Sequence, residues 1–139
     1  MKYTSKFEEM LDDIFVDNGP MRISKNVRTV IVEVVPWLLA LSAIFQLVFV
    51  WNNRFGSLIE MVLNGSIAVL YLLAFTKLLK LQKEGWNLIY YSCLIGLLLS
   101  LYHTVQSGSF IITLGFMLIT QYITFYLLFQ IRSEFTGKA

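Results

Sequence analysis

The fold class is decided by two stretches that would have no polar face as helices, Ile67-Ala68-Val69-Leu70-Tyr71-Leu72-Leu73 and Leu94-Ile95-Gly96-Leu97-Leu98-Leu99. The helices of a soluble four-helix bundle keep a polar face toward water. Composition agrees, because 57% of the 139 residues are hydrophobic and 14% are charged, against about 45–50% and about 25% in soluble domains. These values exclude an ordinary soluble domain, a disordered chain and a nucleic-acid-binding module, and they predict no nucleic-acid partner.

Outward from these stretches, the chain contains four apolar segments of bilayer length. A hydrocarbon core about 30 Å thick needs about 20 helical residues, within a range of about 17–25. The predicted spans are residues 30–51, 58–76, 86–102 and 109–131. Residues 77–85 are predicted to be a basic extension of the second helix that stops at Gly85. Short connectors make consecutive helices antiparallel, so residues 30–131 are predicted to form an all-α, up-down transmembrane bundle.

Lys and Arg residues are distributed unevenly among the connectors. Segment 1–29 contains five, the loop after the second span three, and the tail 132–139 two, whereas the first loop has only Arg54 and the third loop none. Cytoplasmic connectors are enriched in Lys and Arg, and four spans place both termini on one side. The sequence therefore predicts a multi-pass protein of the cytoplasmic (inner) membrane with both termini in the cytoplasm.

The N-terminal segment contains a predicted amphipathic helix over residues 5–16. Ser5 and Glu8 have the spacing of a capping box, and Asn18-Gly19-Pro20 supplies a stop. Apolar residues recur at helical spacing: Phe7, Met10, Leu11, Ile14 and Phe15.

The polar face of this N-terminal helix is acidic, unlike the Lys- and Arg-rich face of helices that lie on membranes. Its carboxylates are Glu8, Glu9, Asp12 and Asp13. Two interpretations remain open. The helix docks either on the chain's own basic loop, around Lys77, Lys80 and Lys83, or on a cytoplasmic protein partner.

Polar side chains within the spans are the candidates for a transport path. Glu60 and Asn64 share a helix face at i, i+4, and a carboxylate at membrane depth is a candidate for proton or cation transfer. Glu60, like Glu33 in the first span, also lies near enough to a span end to reach headgroups. Gln46 and Gln121 lie deeper, where an amide either bonds another helix or contacts a solute.

The third span contains Ser92, Gly96 and Ser100 at i, i+4 and i+8. Three small residues at this spacing form a flat groove, and helices in lipid associate through close backbone packing at such grooves. The groove is predicted to serve helix packing, either within the bundle or between the copies of a homo-oligomer.

No catalytic or metal-binding constellation is apparent in the sequence. The chain has one cysteine, Cys93, and one histidine, His103. This excludes an intramolecular disulfide and a zinc site of the usual kind within one chain. No serine elbow, phosphate-binding glycine loop or HExxH motif is present. We therefore predict no enzymatic activity, no cofactor and no metal.

The second half of the chain resembles a group of small uncharacterised four-span bacterial membrane proteins. The resemblance rests on Lys83-Glu84-Gly85-Trp86-Asn87-Leu88-Ile89-Tyr90-Tyr91-Ser92 and on Tyr126-Leu127-Leu128-Phe129-Gln130-Ile131-Arg132-Ser133. It implies the same topology. Some members of the group have automatic labels such as chromate transporter, which the absence of Lys and Arg from the spans does not support here.

Two functions therefore follow as expectations. The first is a structural or interaction component of the bacterial cytoplasmic membrane, embedded in the lipid bilayer. The alternative is a small ion or solute transporter or channel that works as an oligomer, with a polar path near Glu60. An intramembrane enzyme is a third and weaker expectation.

Overall fold

The computed structural model describes residues 6–17, 22–52 and 56–135. These residues form five α-helices, a π-helical turn after the first helix and a 3₁₀ turn after the last, with no strand. In chain order the helices are α1 (Lys6–Asp12), α2 (Lys25–Asn52), α3 (Leu58–Leu79), α4 (Lys83–Gln106) and α5 (Phe110–Gln130). The π-helical turn covers Asp13–Asp17 and the 3₁₀ turn covers Arg132–Glu134. The predicted all-α class is confirmed.

Helices α2 to α5 are each long and apolar enough to cross a bilayer, which fits a multi-pass integral membrane protein. Three of them are longer than the predicted spans, because helical hydrogen bonding continues into polar flanking residues such as Lys25 and Lys83. Their outer faces expose large apolar side chains, as Trp37 and Ile111 do with 62% and 84% of their surface accessible. Lipid is the environment in which such faces are stable.

The four spanning helices pack mainly on their neighbours in the chain: α2 on α3, α3 on α4, and α4 on α5. We call the end of the bundle that contains the start of α2, the α3–α4 connection and the end of α5 the basic end. The opposite end is called the hairpin end. The main buried cluster lies at the basic end, with Val32, Leu78, Trp86 and Phe129 among its members. The 3₁₀ turn contacts α2 there, so the basic end is where the bundle closes.

The connection between α3 and α4 is a tight corner rather than the long helical extension predicted from the sequence. The Leu81 N–H donates to the Leu78 carbonyl and the Gln82 N–H to the Lys77 carbonyl, both at 3.0 Å. These two bonds are those of a Schellman motif, and Leu81 has the positive φ (52°) that this motif requires. The chain therefore turns at Leu81, four residues before the predicted stop at Gly85.

Replacing Leu81 with glycine is expected to stabilise the protein. A non-glycine residue in the left-handed region costs roughly 1–2 kcal/mol, and Leu81 is partly accessible, so its apolar contacts offset only part of that strain. We expect the thermal midpoint of Leu81→Gly in detergent to rise by a few degrees. Leu73→Gly is the matched control, since exposed Leu73 lies inside α3 and glycine there should lower the midpoint. An equal fall in both variants would contradict the interpretation.

A candidate site at the basic end

The N-terminal segment docks on α5 through aromatic packing. Phe15, in the π-helical turn, is buried, and its ring stacks on Phe129 and Phe125 with centroid separations of 5.9 and 6.4 Å. The Tyr122 ring lies 5.3 Å away on the same helix. Three aromatic residues of α5 thus form the surface on which this segment packs.

Gln130, the last residue of α5, holds the N-terminal segment at two points. Its Nε2 donates to the Phe15 carbonyl at 2.9 Å, and its Oε1 accepts from the Ile23 N–H at 3.3 Å. Only 3% of Gln130 is exposed, so both bonds form away from water, where an unpaired polar group is costly. Sequence reasoning missed this residue, although an amide at the end of an apolar span was the available signal.

Arg132 adds an electrostatic attachment for α1. Its Nη2 lies 2.6 Å from Glu8 Oε1 and its Nη1 lies 3.2 Å from Asp12 Oδ2. The guanidinium lies over the Trp86 ring, 5.2 Å from the centroid. The Trp86 indole is fully buried and donates its N–H to the Leu128 carbonyl at 2.9 Å. A rigid aromatic surface therefore orients the cation toward the two carboxylates of α1.

Beside Arg132 lies a cavity of about 560 Å³. Trp86, Phe129 and Gln130 line it together with charged side chains from four parts of the chain. The cations of the lining are Arg22, Arg28, Lys83 and Arg132, and its carboxylates are Glu9 and Asp12. This concentration of guanidinium and ammonium groups gives the cavity a strongly charged lining.

Arg28 lines the cavity, and not all of its guanidinium N–H groups have a hydrogen-bond acceptor. Its Nη1 donates to Ser133 Oγ at 3.4 Å, and its Nε lies 3.7 Å from Glu134 Oε1. The Nε atom is buried and has no hydrogen-bond partner. The Lys83 side chain forms no ion pair or hydrogen bond within the described part of the chain. Two cations of the lining are thus available to an added anion.

The structure corrects the prediction for the N-terminal helix in two respects. α1 docks on its own chain, as one interpretation proposed, but its partner is Arg132 and not the loop at Lys77, Lys80 and Lys83. The predicted apolar face is also divided, because the helix changes to i→i+5 hydrogen bonding at Asp13. Phe15 is buried, whereas Phe7, Met10 and Ile14 stay exposed. The cap at Ser5 and the stop at Asn18-Gly19-Pro20 lie outside the described residues.

Of the predicted transport residues, Glu60, Asn64 and Gln46 lie toward the hairpin end and Gln121 lies near the middle of α5. They are not joined into one network. Glu60 Oε1 lies 3.5 Å from His103 Nδ1 on α4, and Asn64 Nδ2 donates to the Glu60 carbonyl at 2.9 Å within α3. Gln121 donates to Ser100 Oγ at 3.2 Å. The carbonyl oxygen of Gln46 is buried, and it has no hydrogen-bond partner among the described residues.

The two acidic residues near span ends differ in their surroundings. Glu33 is exposed on the surface of α2 and forms no ion pair with a described residue. The Glu60 side chain is only 22% accessible and is paired with His103. Glu33 therefore points outward as an interfacial residue does, and Glu60 belongs to the contact between α3 and α4.

The small-residue stripe of α4 packs unevenly. Ser92 is buried and donates to the Leu88 carbonyl at 2.7 Å. Ser100 donates to the Gly96 carbonyl at 2.9 Å and accepts from Gln121. A Cβ placed on Gly96 would meet no atom within 4 Å, so none of the described helices approaches the backbone closely at the centre of the groove.

Among the described residues, no group of three or more His, Cys, Asp or Glu side chains could hold a metal ion. The cavity at the basic end is a concave, charged region lined by residues of α1, α2, α4 and α5. Comparisons of the chain with protein-family models, with curated proteins and with solved structures find no match.

Proposed function

We propose that this protein is a non-catalytic interaction component of the bacterial cytoplasmic membrane. The observation that supports this most directly is the use of Gln130 and Arg132. Both polar side chains attach the N-terminal segment to the end of the bundle. The polar residues within the spans, in contrast, form separate contacts rather than one continuous network. The architecture thus serves to present a defined segment at one membrane surface.

We further propose that the basic end faces the cytoplasm. Described Lys and Arg side chains lie at this end, where Lys25, Lys77, Lys83 and Arg132 flank the spans. Positive charge is retained on the cytoplasmic side during insertion. We also propose that the protein is related to the small four-span bacterial membrane proteins that its second half resembles.

The surface proposed to meet a cytoplasmic protein is the exposed apolar face of α1 and its π-helical turn. Phe7 and Met10 are each 49% exposed and Ile14 is 43% exposed, although the opposite side of the segment is packed on α5. A docked helix holds these side chains in a fixed array, which lowers the ordering entropy that a partner must overcome.

Site-directed crosslinking from this face tests the proposal. A photo-crosslinking side chain at Met10 is expected to capture one discrete protein in intact cells, and Phe7→Ser with Ile14→Ser should abolish the adduct. The control places the crosslinker at Val105, which is 75% exposed at the hairpin end. Crosslinks to lipid alone from Met10, or the same adduct from Val105, would overturn the proposal.

A transporter is the second candidate, because Gln46 has a buried carbonyl oxygen without a partner and Glu60 is mostly buried. Ion flux into proteoliposomes distinguishes the two functions. The interaction function predicts that wild type and Glu60→Gln both match protein-free vesicles. Flux that requires wild-type protein and falls to background in Glu60→Gln would establish transport in its place.

A further inference from the structure

We propose that the cavity at the basic end is a binding site for a phosphate group. Arg22, Arg28, Lys83 and Arg132 converge on a space of about 560 Å³. Guanidinium groups match the oxygen geometry of phosphate and carboxylate, and they form hydrogen bonds about twice as strong as those between neutral groups. This inference does not depend on the protein partner proposed above.

The two least engaged cations identify the part of the cavity that an added anion would occupy. Arg28 has a buried Nε without a hydrogen-bond partner, and its nearest carboxylate, Glu134, stays 3.7 Å away. Lys83, at the start of α4, forms no ion pair with any residue in the described ranges. A buried guanidinium N–H lacking a partner costs free energy, and a phosphate oxygen placed between Arg28 and Lys83 would supply the acceptor.

A third cation of the cavity lining, Arg132, already binds anionic oxygens. Arg132 is held against Trp86, and its guanidinium pairs with two carboxylate oxygens of α1, donating to Glu8 Oε1 and lying 3.2 Å from Asp12 Oδ2. These contacts show that two nitrogens of the guanidinium face anionic oxygens at the same time. They also predict competition, since a phosphate that reaches Arg132 would replace the α1 carboxylates there.

The position of the cavity defines the sources of phosphate. It lies at one end of the spanning helices, which is the level of the lipid headgroups, and it is also open to soluble molecules. The shared chemistry is an anionic phosphate oxygen bound by Arg28 and Lys83. The headgroup of an anionic phospholipid and free phosphate differ in whether an acyl chain is attached.

The test uses full-length protein in a phosphate-free maltoside detergent. Trp37→Phe and Trp51→Phe leave Trp86, which lines the cavity, as the fluorescent reporter, since the chain has 3 Trp. Inorganic phosphate and short-chain phosphatidylglycerol are titrated separately. We expect a saturable change in Trp86 emission with at least one of the two, and the active ligand identifies the source.

Matched substitutions locate the binding. Arg28→Gln and Lys83→Gln should each weaken binding by about tenfold or more, whereas Lys80→Gln should change it less than about twofold because Lys80 does not line the cavity. Glu8→Gln with Asp12→Asn should strengthen binding, because the competing carboxylates are removed. Thermal midpoints without ligand show whether each variant is folded, and Lys83→Gln preserves every described contact of Arg28.

Two results would overturn the proposal. One is the absence of a saturable response to either ligand in the wild-type background. The other is an equal loss of affinity in Lys80→Gln and Lys83→Gln, which would indicate general attraction to a basic surface.

Discussion

Replacing Gly85 with alanine is expected to destabilise the protein by about 1–3 kcal/mol, the usual cost of forcing an extra methyl group into a packed region. A Cβ at this position would lie 2.9 Å from the Leu78 backbone nitrogen and 3.0 Å from the Lys77 carbonyl carbon. Both are backbone atoms of the Schellman corner, so relief requires α3 and α4 to move apart. Such movement would also displace Trp86, the next residue, from its bond to Leu128.

The matched control for this substitution is Gly96→Ala, in the same helix. Because a Cβ on Gly96 meets no atom within 4 Å, the better helix propensity of alanine should leave stability unchanged or raise it by up to about 1 kcal/mol. Unfolding in mixed micelles, followed by Trp fluorescence, measures both variants. If Gly96→Ala lowers stability as much as Gly85→Ala, the groove around Gly96 is occupied in solution. A second copy of the chain is then the first candidate, and chemical crosslinking would reveal it.

The second large effect is expected for Gln130→Leu. This substitution leaves the Phe15 carbonyl and the Ile23 N–H without their partner, and each buried unpaired group costs about 1–3 kcal/mol. The cost falls on the docking of the N-terminal segment rather than on the spanning helices. We therefore expect the segment to detach while α2 to α5 remain folded.

Hydrogen exchange and limited trypsin digestion measure this detachment. In Gln130→Leu, amide protection around Phe15 should be lost and cleavage after Arg22 should accelerate, with little change in total helicity. Gln121→Leu is the control, since it removes a single bond to Ser100 at 3.2 Å, and such bonds between membrane helices average about 0.6 kcal/mol. Unchanged protection at Phe15 in Gln130→Leu would show that aromatic packing alone holds the segment.

The elements that the sequence predicted best are those set by hydropathy over many residues. The four spans begin or end within a few residues of their predicted positions, because a helix in lipid must satisfy its backbone internally and must contain enough apolar residues to cross. The helix near Phe15 was also predicted, since its apolar spacing is local. The corner at Leu81 was not, because leucine in a left-handed conformation contradicts the usual preference for glycine.

The site was less predictable from sequence. Glu60, Asn64, Gln46 and Gln121 stood out as polar residues in apolar spans, but hydropathy does not show which of them face one another. Gln130, at the end of a span, was not among the predicted site residues. It is nevertheless more buried than Gln46 or Gln121. Its role depends on Phe15 and Ile23, more than 100 residues away in sequence.

The sequence by itself determined that the protein has four membrane-spanning helices with antiparallel neighbours and an amphipathic N-terminal helix, because these follow from apolar length, helical period and short connectors. Only the tertiary structure decided where the N-terminal helix docks and which charges share a cavity. On charge alone, the acidic face of α1 was predicted to dock on the loop at Lys77, Lys80 and Lys83 or on a cytoplasmic partner. Arg132 is its partner because stacking on Trp86 and the bonds of Gln130 fix the geometry there, and such contacts form only after distant parts of the chain have packed together.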